Sequence, residues 1–243
     1  MTVHESLVQA IRDVAPKPPE SASRSDKKNY AQDLSNAVAR RLAAELYDLG
    51  LKDCQPIVKE DGVSYGAERR LAGGIGAKKV DVSWSTDTSG LMLAISVKSI
   101  NYKDGSTGNY QKNLTNRRGD MLFETVTLHR RFPFAVVGGF FILDKGASLD
   151  GTSRRASTLE NAHDLLRLFT GRPDPTGREE QLEKLYVLLC DSTEGAESFE
   201  IREAGRFNES SVTADEAVAE ILQILSDRNS DFYDYRGGRL VKR

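Results

Sequence analysis

The hydrophobic and polar positions of this chain repeat with two periods, one typical of helices and one typical of strands. Apolar residues recur every three to four positions through residues 29–50, which predicts an amphipathic helix that ends at Gly50. Residues 79–100 contain two alternating stretches separated by the turn STDTSG, which predicts an antiparallel hairpin. A helix, a hairpin and further alternating elements together indicate an α/β protein.

The second half of the chain continues this alternation. A helix is predicted over residues 111–131, and its end is set by Pro133, which disfavours continuation of the helix. The stretch FAVVGGFFIL, residues 134–143, is apolar on both faces and therefore predicts a central strand. Strands are also predicted at YVLLC and SFEIRE, and capping-box spacing marks two helix starts, at Ser157 with Glu160 and at Thr213 with Glu216.

Composition divides the chain into three parts of one predicted domain. Residues 1–28 end in APKPPESASRSDKK, whose prolines, serines and charges predict a linker. Residues 29–144 hold the helix, the hairpin and the central strand. Residues 145–243 form a C-terminal α/β extension that completes the same domain and is the expected place for specificity or dimerisation elements. The tail FYDYRGGRLVKR shows no interpretable pattern.

Composition also limits the class of protein. No apolar run reaches the roughly 20 residues of a membrane span, and no secretion signal is recognisable, so a cytoplasmic protein without a membrane partner is expected. Cys54 and Cys190 lie far apart, which predicts neither a zinc site nor a disulfide. The net charge is −2, yet seven basic and three acidic residues lie between Lys98 and Arg131. This local excess favours a phosphate-binding face, with a solvated helix face as the alternative.

The hairpin places a lysine among small residues. Alternation assigns two faces to the second strand, with Leu91, Leu93, Ile95 and Val97 on one and Met92, Ala94, Ser96 and Lys98 on the other. Asp81 is expected opposite Ser96 or Ala94, so that its side chain shares the face of Lys98. Asp81 and the Val97 carbonyl offer oxygen ligands of the kind that Mg²⁺ prefers, and a lysine can orient water or offset phosphate charge. The alternative is an Asp–Lys pair on an exposed sheet, with no chemical role.

Asp81, followed after fourteen residues by Ser96-Val97-Lys98 on a hairpin between two helices, resembles the PD-(D/E)XK core of type II restriction endonucleases and related nucleases. The resemblance extends loosely from Asn29 to Leu143. It implies a restriction-endonuclease-like core, with a mixed central sheet flanked by helices. It also implies Mg²⁺ as cofactor, with Mn²⁺ able to substitute, double-stranded DNA as substrate, and a homodimer. The expected role is bacterial restriction or anti-phage defence.

Ser96 departs from the family pattern, which has a carboxylate two residues before the lysine. A neutral hydroxyl is a poor magnesium ligand, so the missing carboxylate must come from elsewhere. Glu68 and Glu124 are the leading candidates, and Asp120 and Glu45 are further ones.

Phosphate contacts are expected from basic residues that follow the hairpin, namely Lys103, Lys112, Arg117 and Arg118. The sequence therefore predicts an Mg-dependent endodeoxyribonuclease with Asp81, Lys98, Ser96 and either Glu68 or Glu124 in its site. The metal ligands would come from Asp81, Val97 and the additional glutamate. The alternative is a catalytically inactive DNA-binding or assembly subunit with a nuclease-like fold. His129 is a weaker catalytic candidate, because a histidine at a helix end more often complements the helix dipole.

Overall fold

The computed structural model describes residues 1–58, 64–65, 69–72 and 77–243, with side chains outside residues 58–78. Within these residues the chain forms five α-helices and eleven strands. The helices are α1 (Val3–Arg12), α2 (Arg24–Asp48), α3 (Leu114–Arg131), α4 (Thr158–Leu166) and α5 (Ala214–Arg228). The strands are β1 (Ile57–Val58), β2 (Ser64–Tyr65), β3 (Arg69–Ala72), β4 (Ala77–Val80), β5 (Val82–Thr86), β6 (Gly90–Ile100), β7 (Val136–Asp144), β8 (Lys184–Asp191), β9 (Ser198–Glu203), β10 (Tyr233–Arg236) and β11 (Arg239–Lys242).

Five strands form one mixed sheet in the order β5-β6-β7-β8-β9. The three central strands run parallel, and β5 and β9 add antiparallel edges. Helices α1, α2 and α5 bury their apolar residues against one face, whereas α3 and α4 cover the other. The prediction of an α/β protein with a mixed central sheet flanked by helices is confirmed.

Strand β7 lies at the centre of the sheet, as its apolar sequence predicts, and all nine of its residues are buried. Gly139 permits this close packing. A Cβ added at Gly139 would lie 2.6 Å from Leu185 Cδ1 and 2.8 Å from Leu182 Cδ2. Only hydrogen fits there, so β7 can pass close beneath the side chains of the neighbouring elements.

The helix starts follow the sequence closely. Ser157 and Glu160 form a capping box at α4, and Thr213 and Glu216 form one at α5, as predicted. A third capping box, at Thr2, starts α1, whose residues Leu7, Ala10 and Ile11 are buried in the core. The predicted linker is thus preceded by a packed helix.

Two sequence expectations differ from the observed structure. Of the predicted linker, residues 15–28, the last five belong to α2, whose cap Ser23 accepts a hydrogen bond from the Asp26 amide. The tail that shows no sequence pattern forms the hairpin β10–β11, which is held to the body of the protein by a hydrogen bond from the Leu240 amide to the Leu49 carbonyl. Long-range contact of this kind leaves no local signature.

A β-bulge changes the faces predicted for β6. Trp84 pairs with Leu93 and Ser85 pairs with Leu91, so Met92 is the extra residue. Leu91 therefore joins the core beside α3, and Met92 joins the core beside α2, opposite to the prediction. Beyond the bulge, the predicted alternation holds from Leu93 to Lys98.

Candidate active site

Asp81 lies at a bend between β4 and β5, where the antiparallel ladder with β6 begins. Val82 pairs with Ile95, so Asp81 comes beside Ser96, one of the two positions predicted for it. The Asp81 carboxylate accepts a hydrogen bond from the Val97 amide, with Oδ2 2.7 Å from the nitrogen. This bond fixes the carboxylate where the backbone ladder ends.

Lys98 extends from the same face of β6 and bridges two carboxylates. Its Nζ lies 3.2 Å from Asp81 Oδ2 and 3.1 Å from Glu124 Oε2. The side chain of Lys98 is 16% exposed, so the ammonium lies at the surface end of a largely buried cluster. The predicted proximity of Asp81 and Lys98 is observed, and Glu124, one of the two leading candidate glutamates, lies beside them.

Glu124 reaches the cluster from α3, whose inward face it shares with Met121 and Leu128. Its Oε2 also accepts a hydrogen bond from the Ser96 hydroxyl at 3.2 Å. Its Oε1 is buried and has no hydrogen-bond partner among the described residues. Ser96 therefore positions a carboxylate that the sequence places 28 residues away.

The two oppositely charged groups respond differently to burial. Burial raises the pKa of Glu124, and the nearby Asp81 charge adds to this, while Lys98 and Ser96 oppose it. Burial alone would lower the pKa of Lys98, but the charges of Glu124 and Asp81 outweigh it, so that the pKa is raised. Lys98 therefore stays charged at neutral pH, and Glu124 binds a proton more readily than an ordinary glutamate.

The other candidate carboxylates lie elsewhere. The side chain of Asp120 is 60% exposed and forms an ion pair with Arg117 at 3.6 Å, although Asp120 is only one helical turn from Glu124. Glu45 lies on α2 and interacts electrostatically with Arg41. Glu68 lies outside the described residues. Asp120 and Glu45 are therefore not brought into the cluster around Lys98.

The chemistry of Asp81 and Glu124 suits a divalent cation, since both are carboxylates and Glu124 Oε1 is a buried acceptor without a partner among the described residues. The described part of the chain contains no group of three or more acidic, histidine or cysteine side chains arranged to hold a metal. The donor set is thus two carboxylates and, from the predicted set, the Val97 carbonyl.

The four basic residues expected to contact phosphate have different surroundings. Lys112 donates to Asp104 Oδ2 at 2.6 Å, and Arg117 is paired with Asp120, so a carboxylate offsets each of these charges. Lys103 is exposed, with Nζ 6.0 Å from the ring centre of Tyr110. Arg118 packs its guanidinium over the ring of Phe169 at 5.6 Å. All four residues lie before α3 or in its first turns. They therefore remain candidates for a basic surface that contacts phosphate.

His129 is not part of this cluster. It is fully buried, with Nε2 3.2 Å from Glu183 Oε2 and Nδ1 2.9 Å from the Glu179 carbonyl oxygen. Glu183 also accepts from Arg172 and Arg228, which makes a buried charged network that the sequence analysis missed. Its members are spread over 100 residues of sequence and have no motif spacing, so only the tertiary structure reveals them.

Comparison of the chain with protein-family models, with curated proteins and with solved structures finds no match. The geometry around Lys98 is therefore the basis on which a function can be inferred. No helix in the described parts of the chain has the length and apolarity needed to cross a membrane.

Proposed function

We propose that this protein is a metal-dependent DNA endonuclease with a restriction-endonuclease-like core of the PD-(D/E)XK type. The observation that carries the proposal is the position of Lys98 between the carboxylates of Asp81 and Glu124. Glu124 supplies the second acid that the pattern around Ser96 lacks, and the Ser96 hydroxyl holds it in place. A lysine between two acids near the end of a strand suits phosphodiester hydrolysis better than a purely structural pair, because Glu124 Oε1 is left without a partner among the described residues.

Each residue has a distinct role in the proposed reaction. A water molecule releases one proton to solvent as its oxygen bonds to the phosphorus, one ester P–O bond breaks, and the leaving oxygen takes up a proton from solvent. Lys98 keeps its proton because its pKa is raised, so it offsets charge on the phosphate and orients the attacking water instead of accepting a proton. Asp81 is fixed by the Val97 amide, and Glu124 by Ser96, which keeps both carboxylates oriented before substrate binds.

Mg²⁺, with Mn²⁺ as a substitute, is the proposed cofactor. Asp81 Oδ1 and Oδ2, Glu124 Oε1 and the Val97 carbonyl are the oxygens that would hold it, and Glu68 is a further ligand predicted from sequence. When bound, a divalent cation lowers the pKa of bound water and stabilises negative charge on a phosphoryl group.

Double-stranded DNA is the proposed substrate, and bacterial restriction or anti-phage defence the proposed role. Lys103, Lys112, Arg117 and Arg118 would contact phosphates. Cleavage of both strands commonly uses two active sites, so a homodimer is part of the proposal.

Supercoiled plasmid DNA, incubated with the protein in Mg²⁺, in Mn²⁺ or in EDTA, tests the proposal. We expect nicked and linear DNA with either metal and intact DNA with EDTA. Asp81→Asn, Lys98→Met and Glu124→Gln should each lower the rate by about a hundredfold or more, because each removes a group that acts on the reacting phosphate or its metal.

Asp120→Asn is the matched control for Glu124→Gln, since it neutralises an exposed carboxylate on the same helix. The Asp120 variant should cleave at the wild-type rate. Equal cleavage by wild type and by folded Lys98→Met would refute the nuclease assignment. DNA binding without metal-dependent nicking would instead favour the second candidate, an inactive DNA-binding or assembly subunit, which the absence of a third acidic ligand among the described residues also favours.

A further inference from the structure

A cavity lies at the opposite end of β6 from Lys98. Its volume is about 420 Å³, which falls within the roughly 300–1,000 Å³ of small-molecule sites. It opens where α3 and α5 end, beside the turn of the β5–β6 hairpin. Met92, which lines it, is six residues from Lys98, or roughly 20 Å along an extended strand. The cavity is therefore separate from the candidate active site. Its principal lining residues are Met92, Arg131, Phe132, Phe134, Arg228 and Phe232.

Aromatic side chains form much of the cavity wall. Phe134 is 62% exposed and Phe232 is 56% exposed, although burial of a phenylalanine side chain is normally favourable. Phe132 also lines the cavity, and the Arg131 guanidinium lies over its ring, 5.9 Å from the ring centre. Three phenylalanines at one opening offer flat apolar surfaces on which a planar ring can stack.

A buried arginine adds charge at this cavity. The side chain of Arg228 is 5% exposed, and its Nη1 donates to Glu183 Oε1 at 2.7 Å and to the Ala135 carbonyl at 3.0 Å. Its Nη2 is buried and has no hydrogen-bond partner among the described residues. Arg172 Nη1 also lies 3.1 Å from Glu183 Oε1, so one carboxylate pairs with two buried guanidinium groups. A positive charge is left without a matching carboxylate.

The remaining charges at the cavity leave Arg131 as the cation that an incoming group can contact. Arg131 is exposed at the opening and has no carboxylate partner in the described part of the chain. Asp231, the acidic residue of the lining, interacts electrostatically with Arg243. The C-termini of α3 and α5 each contribute a partial negative charge of about one half, so together with Asp231 they balance the two arginines of the lining. The exposed guanidinium of Arg131 is therefore the group at the opening that can pair directly with an anion.

We propose that this cavity binds a small molecule that joins a planar aromatic ring to a phosphate, the chemistry of a nucleoside monophosphate. The ring stacks on the phenylalanines, and Arg131 binds the phosphate. A guanidinium suits this role because it pairs with phosphate in a bidentate fashion and also stacks on rings. This inference does not depend on the proposed nuclease activity.

Isothermal titration calorimetry with adenosine 5′-monophosphate, adenosine and inorganic phosphate tests it. We expect one molecule of the nucleotide to bind per chain, with adenosine and phosphate each at least about tenfold weaker, since each makes only half of the contacts. Arg131→Gln and Phe134→Ala should each weaken nucleotide binding about tenfold, because each removes one of the two recognition elements. Both residues are exposed, so the variants should fold normally.

Arg154→Gln and Leu149→Ala are the matched controls, because they change exposed residues of the same kind outside the cavity and should leave affinity unchanged. The double variant Lys98→Met with Glu124→Gln, which leaves no uncompensated buried carboxylate, should bind the nucleotide normally. A 5′-phosphorylated dinucleotide, titrated in parallel, distinguishes a free nucleotide from the end of a nucleic-acid strand, which would bind more tightly. No binding of adenosine monophosphate at millimolar concentration would overturn the proposal, as would a loss of binding in the folded double variant but not in Arg131→Gln.

Discussion

Replacement of Lys98 by methionine isolates the electrostatics of the candidate site. Methionine keeps most of the apolar length of lysine but removes the ammonium, so the buried carboxylate of Glu124 loses the cation at 3.1 Å. Glu124 can then stay charged at a high desolvation cost, or it can take up a proton. Since a glutamate ordinarily has a pKa of 4.5, each pH unit above this value adds about 1.4 kcal/mol to the cost of protonation.

The loss of stability expected for Lys98→Met depends on pH. At pH 8 we expect the free energy of unfolding to fall by about 3 kcal/mol. The loss cannot exceed about 5 kcal/mol, because at that cost Glu124 takes up a proton instead of staying charged. At pH 5 the same charge effect cannot exceed about 1 kcal/mol. The direction of this pH dependence follows from the raised pKa of Glu124 in the folded state. The stabilising contribution of such a group is complete below pH 4.5 and is lost as the pH rises through its folded-state pKa.

Urea denaturation followed by circular dichroism at pH 5 and pH 8 measures this effect. Lys28→Met is the matched control, because Lys28 is exposed on α2 and its loss should change stability by less than about 0.5 kcal/mol. The double variant Lys98→Met with Glu124→Gln should recover most of the stability at pH 8, since no uncompensated buried carboxylate remains. A loss that is equal at both pH values, or no recovery in the double variant, would refute the reasoning.

Three further substitutions test the packing around the site. Ser96→Ala removes the hydroxyl that donates to Glu124 and should cost about 1 kcal/mol at pH 8, while its thermal unfolding at pH 4 should be closer to wild type because the carboxyl is then largely protonated. Gly139→Ala should destabilise by about 1–3 kcal/mol in denaturant titrations, because the new methyl group would lie 2.6 Å from Leu185. Gly119→Ala should stabilise by about 0.5–1 kcal/mol in the same titrations, since its helical position is open; a loss of stability there would contradict this.

Local interactions made much of the fold predictable. A capping box joins residues three apart, so those at Ser157 and Thr213 could be recognised in the sequence alone. The two-residue period of β6 placed Ser96 and Lys98 on one face because neighbouring side chains of a strand point to opposite sides. Val97, between them, therefore faces the other core.

The same local rules failed where a partner strand intervened. The bulge at Met92 exchanged the predicted faces of Leu91 and Met92, because pairing with β5 accommodates an extra residue that periodicity cannot reveal. The hairpin β10–β11 likewise depends on contact with the far end of α2, almost 200 residues away.

The sequence by itself determined which residues offer the chemistry of the candidate site. Asp81, Ser96 and Lys98 lie on one hairpin, where short-range geometry fixes their relation. The choice of Glu124 over Asp120 was decided only by the tertiary structure. Both acids lie on α3, one turn apart, but the packing of that helix on the sheet buries Glu124 against Lys98 and leaves Asp120 in solvent. Such a choice depends on how a helix is rotated about its own axis, which is set by contacts with the whole sheet and not by any local pattern.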